Sequence, residues 1–132
     1  GLLDPRVPEL VDAVADVLAR TGAAPRVLVS SFNPLALFHT RRRMPDVPIG
    51  LLFEREAPLP LRGAWSTPLL RPFALHPEHV LCTPDSVARW RARGAAVNVW
   101  TVDAPERLRA LRDMGVDGLI TNDPGAARAA LQ

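Results

Sequence analysis

A chain of 132 residues, 48% apolar and 23% charged, is the size of one domain and can fill a core. A net charge of +2 excludes a disordered, self-repelling tail, and no apolar run approaches the roughly 18 residues of a membrane span. The single cysteine, Cys82, excludes an internal disulfide and a multi-cysteine metal centre. With no secretory leader visible, a reduced cytoplasmic setting is expected.

In chain order, Pro8 to Arg20 spaces Leu10, Val11, Val14, Val17 and Leu18 as the apolar stripe of a helix. Asp12 and Asp16 lie opposite, and Thr21-Gly22 ends the segment. Val27 to Phe32 is apolar and rich in β-branched residues, the pattern of a buried strand. Asn33-Pro34 offers a cap and a first-turn proline to a helix reaching Arg43. Val47 to Phe53 predicts a second strand, and Pro58 to Pro72 is a proline-rich connection without periodicity. Ala74-Leu75-His76 predicts a short strand, and Asp85 to Arg93 a helix with Val87 and Trp90 inward and Gly94 after it. Val97 to Val102 predicts a fourth strand, and Asp103-Ala104-Pro105 starts a helix stopped by Gly115. Gly118 to Thr121 is the last strand, before a helix opened by Asn122-Asp123-Pro124 and ending near Leu131.

Five apolar strands alternating with helices or a helix-sized connection predict a parallel sheet covered by helices. The chain opens on a crossover helix, as expected of a portion of a longer α/β protein. All 16 basic residues are arginine, a bias typical of GC-rich coding sequence. Arg41-Arg42-Arg43 falls at a helix C-terminus, where cations complement the dipole. No nucleic-acid partner is therefore expected, despite a pI near 9.9.

No GxGxxG, Walker loop, HExxH, GxSxG or CxxC is present. His76 and His79 are separated by Pro77, so no shared helical face joins them as a metal pair. In Val97 to Val102, alternation puts Val97, Val99 and Thr101 against helices. It puts Asn98, Trp100 and Val102 on the other face, which in a closed barrel is the interior. Trp100 lies near the C-terminal end of its strand, where parallel barrels build their sites. Phe32 and His76 occupy comparable ends of other strands.

Four segments carry a family resemblance: Ser30 to Pro34 (SSFNP), Ala74 to Pro77 (ALHP), Val97 to Val102 (VNVWTV) and Gly115 to Pro124 (GVDGLITNDP). In content, order and spacing they resemble the glycerophosphodiester phosphodiesterase family. The resemblance implies a (β/α)8 TIM barrel, with residues 1–132 forming one partial domain: the C-terminal portion, five parallel strands with outer helices. It implies hydrolysis of small-molecule glycerophosphodiesters to glycerol 3-phosphate and an alcohol, with a divalent cation, Ca or Mg. The family's acid and base are histidines of an HRG and an HD motif, and its metal ligands are mainly acidic residues of the first three strands. Neither motif occurs here, so no catalytic histidine and no metal ligand carries over. Phe32 and Trp100 match aromatic positions flanking the glycerol side of the substrate, and His76 matches a strand end. The expectation is a chain that supplies substrate-pocket walls, binds no metal alone and is inactive alone. Its partners would be the preceding barrel strands or further copies of itself. The alternative is a non-enzymatic partial barrel that binds a ligand or self-assembles.

Overall fold

The computed structural model describes residues 4–57 and 67–132. Most of the expected signals for starting and stopping a helix act as such. Helix α1 (Val7–Thr21) ends at Gly22, whose φ of 65° is the left-handed conformation that glycine adopts without cost. Helix α2 (Pro34–Arg43) is capped by Asn33, whose side chain accepts from the Leu35 amide at 2.9 Å. A short helix α3 (Thr67–Leu70) follows the segment 58–66, so most of the proline-rich connection lies outside the described residues. Helix α4 (Pro84–Ala92) starts with a reciprocal box: Thr83 Oγ1 accepts from Ser86 N and Ser86 Oγ from Thr83 N. Helix α5 (Pro105–Asp113) begins on proline, and α6 (Pro124–Leu131) is capped by Asp123, which accepts from the Ala126 amide.

The strands are β1 (Val29–Ser31), β2 (Ile49–Phe53), β3 (Ala74–Pro77), β4 (Ala96–Val99) and β5 (Gly118–Leu119). They pair in sequence order, all parallel, so β1 and β5 are the two edges. One face carries Ile49, Leu51, Phe53, Leu75, Val97 and Val99 into a core with Leu37, Val87, Trp90, Leu108, Leu111 and Ala127 from the helices. Phe53 and Trp90 meet edge to face within it, centroids 5.5 Å apart. The opposite face carries Gly50, Leu52, Ala74, His76 and Asn98 and holds no covering helix among the described residues.

Three expectations need correction. The stripe assigned to the first helix included Leu10 and Val17, yet Leu10 is 64% exposed and Val17 is exposed too. The helix instead buries Val11 and Ala15, with Val7, Val14 and Leu18 partly covered, in a small separate cluster with Met44 and Val47. Helix α1 packs on α2, and Leu10 and Val17 are outside that contact stripe. The first strand is shorter than expected because the turn Ala24–Arg26 occupies the approach, leaving Phe32 just beyond the strand. In β4, alternation holds through Trp100 and then fails: Thr101 is exposed, and Val102 is buried in the helix-side core. The strand stops at Val99, so a two-residue period no longer governs the next side chains.

The arginine triplet is engaged within the chain. Arg43 pairs with Asp12 at 2.9 Å and Asp16 at 3.7 Å, Arg41 donates to the Arg71 carbonyl, and Arg42 lies 5.9 Å from the Phe38 ring centre.

Candidate active-site wall

Parallel strands that end together place their last side chains on one rim. Here β1, β3 and β4 bring Phe32, His76 and Trp100 together, though in three different ways. Trp100 follows β4, and its backbone is tied to the end of β3: its amide donates to the Pro77 carbonyl and its carbonyl accepts from the His79 amide. Its indole Nε1 donates to the His76 carbonyl at 2.7 Å, so the ring lies across the neighbouring strand. Phe32 meets that ring edge to face, at 5.6 Å between centroids and 89° between planes. Such a contact contributes about 0.5–1.5 kcal/mol beyond burial. Phe32 remains 47% exposed, so the pair presents aromatic surface to solvent rather than filling the core.

His76 is the penultimate residue of β3, and its ring is buried. It pairs with Leu52 inside the sheet and is only 6% exposed. Its Nε2 lies 3.2 Å from Asn98 Nδ2, and burial lowers its pKa, which keeps the imidazole neutral. Its ring therefore lies below the rim, while its carbonyl holds Trp100.

The sequence marks Asp103 only as part of a helix start, and the structure gives it a defined task. Asp103 accepts from Thr121 Oγ1 at 2.7 Å, Asn122 N at 2.9 Å and Asn122 Nδ2 at 2.8 Å. These bonds lower its pKa and join the segment after β5 to the segment after β4. The signal was present in the sequence as the polar run Thr121-Asn122-Asp123, but its partner lies 18 residues away from Thr121. Arg107 similarly ties α5 to the turn after β3 by donating to the carbonyls of His79 and Cys82. Cys82 is buried, and its thiol is pushed up to about 11, so it is no nucleophile near neutral pH.

Two other carboxylates near this rim have partners: Glu78 Oε2 accepts from the Arg55 amide and Asp123 caps α6. Among the described residues, no three His, Cys, Asp or Glu side chains gather as a metal would require. His39 is on α2, with its ring against Phe38, and His79 sits in the turn His79–Leu81 with Nδ1 buried and unpartnered. The described residues therefore offer no cluster that would hold a divalent cation.

A five-strand parallel sheet whose described residues leave one face without a helix, with an aromatic rim, fits a segment of an α/β barrel. The sequence pattern of the Glycerophosphoryl diester phosphodiesterase family matches residues 3–126. A glycerophosphodiester phosphodiesterase of Caldanaerobacter subterraneus is 34% identical over 75% of this chain and 40% of its own length. A protein of Mycobacterium tuberculosis assigned as glycerophosphodiester phosphodiesterase 2 is 30% identical over 98% of this chain and 53% of its own. A solved structure from Silicibacter pomeroyi, assigned to the same enzymes, superposes with a TM-score of 0.87 at 31% identity. It covers 95% of this chain and 44% of that one. The chain belongs to the glycerophosphoryl diester phosphodiesterase family and has the fold of part of its TIM barrel. It spans about half the length of the relatives it matches.

Proposed function

We propose that residues 1–132 form the C-terminal five-strand part of a glycerophosphodiester phosphodiesterase barrel and supply the glycerol-side wall of its site. The observation that carries this reading is the Phe32–Trp100 pair, half-exposed at the rim where parallel barrels bind substrate. Two aromatic faces at right angles suit the C–H surface of a glycerol unit and shed water from it, but they offer no proton and no charge. Breaking a phosphodiester requires an acid for the leaving oxygen and a counter-charge for the developing anion. The residues described here provide neither, so this chain contributes recognition, and the acid, base and divalent-cation ligands come from elsewhere in the assembled barrel. The open edges β1 and β5 are where preceding strands, or a second copy, would pair.

Titration of the ¹⁵N-labelled chain with sn-glycerol 3-phosphate tests the wall. The Trp100 indole resonance should shift, and Trp100→Ala or Phe32→Ala should abolish the neighbouring shifts. Shifts confined to the α1–α2 cavity around His39 and Arg42, or unchanged in both variants, would contradict it.

A further inference from the structure

We propose that Asn98 is the positioning residue of the aromatic wall: its amide, seated between His76 and Gly118, fixes the layer on which Trp100 rests. The proposal builds on the reading of Phe32 and Trp100 as that wall.

Asn98 pairs across the sheet with Gly118, and a Cβ on Gly118 would collide with Asn98 Oδ1 and stand 3.1 Å from its Cγ. Gly118 is outside the left-handed region, so the Asn98 side chain, rather than a turn, makes glycine necessary there. The same device recurs two strands away. A Cβ on Gly50 would come within 2.9 Å of His76 Nε2, with Leu28 Cδ2 at 3.0 Å. Two glycines thus flank two polar side chains: His76, Asn98 and Gly118 share one register across β3 to β5, and Gly50, which pairs with Ala74, meets the His76 ring diagonally.

The amide is oriented within that layer. Its oxygen faces Gly118, and its Nδ2 lies 3.2 Å from His76 Nε2. An amide N–H donating there makes Nε2 the acceptor and places the imidazole proton on Nδ1. Trp100 is two residues beyond Asn98 on the same face, and its indole donates to the carbonyl of that same histidine. Asn98 and Trp100 therefore both bond to His76, one through its ring and one through its backbone. Removing the amide strips Nε2 of its partner and loosens the histidine whose carbonyl holds the indole.

The test is NMR on the labelled full chain and four variants. In Asn98→Ala and in Gly118→Ala, exchange of the Trp100 indole N–H should accelerate about tenfold, the equivalent of one lost hydrogen bond. Backbone amides of β4 should keep their protection. The double variant should exchange no faster than Asn98→Ala alone, because the added methyl then has nothing to displace. Asn98→Asp keeps the shape but loses the donor, so the ¹⁵N signature of His76 should move from the Nδ1–H tautomer to a protonated Nε2. Unchanged indole exchange in folded Asn98→Ala, additive effects in the double variant, or an unmoved tautomer in Asn98→Asp would each overturn the proposal. Should Gly118→Ala fail to fold, Asn98→Ala and Asn98→Asp decide it. None of these readouts uses a substrate, so failure of the wall and failure of its support are separately visible.

Discussion

His76 shows how one buried side chain couples the candidate site to solution conditions. Its pKa lies below the ordinary 6.5 because burial disfavours the imidazolium, so the unfolded chain takes up the proton first. The resulting sign is definite: the histidine costs nothing well above pH 6.5, and stability falls as pH drops from there toward the folded value. His76→Gln should remove that part of the slope. Urea midpoints at about pH 7 and pH 5, compared between parent and variant, measure it. An unchanged slope would mean that the imidazole is not held neutral in the fold. At this scale the sequence disclosed residue identity but not surroundings. Asn98 was legible as a polar group on an inner face, and His76 as a residue at a strand end. Their contact depends on the register between β3 and β4, which no local pattern encodes. Asp103 was obscure for the same reason, its partners Thr121 and Asn122 being brought to it by the pairing of β5 with β4.

Among elements, the helices with explicit caps were the most legible. Asn33-Pro34 and Asp123-Pro124 each set a helix start through one side-chain oxygen and one fixed φ. Patterns that rely on a partner were less so. Leu10 fits the apolar period of α1 but lies outside its contact with α2, and Val102 fits the β4 alternation but follows its end. This difference yields a contrast in stability. Leu111 on α5 is fully buried against the sheet, and Leu111→Ala should cost about 2–5 kcal/mol. Leu10→Ala on α1 should stay within about 0.5 kcal/mol, as for an exposed site. Chemical denaturation of the two variants provides the comparison. A large loss for Leu10→Ala would show that its face is covered in solution.

At the scale of the whole molecule, alternating strands and helices disclosed the parallel architecture, and the order β1 to β5 follows the chain without a crossover out of sequence. The division of labour follows from which residues that architecture collects. An aromatic pair and a neutral polar pair lie on one side of the sheet, while Glu78, Asp103 and Asp123 accept bonds from backbone and side-chain donors. Acid–base catalysis alone contributes about 10²- to 10⁴-fold, and a metal adds several kcal/mol of charge stabilisation. On the proposed reading, a chain without either term would recognise substrate without turning it over. The direct measurement is release of glycerol 3-phosphate from glycerophosphocholine by residues 1–132, with excess calcium or magnesium and again with chelator. The account predicts no release above background under either condition. Chelator-sensitive turnover by this chain alone would contradict it and place the reacting groups within these residues.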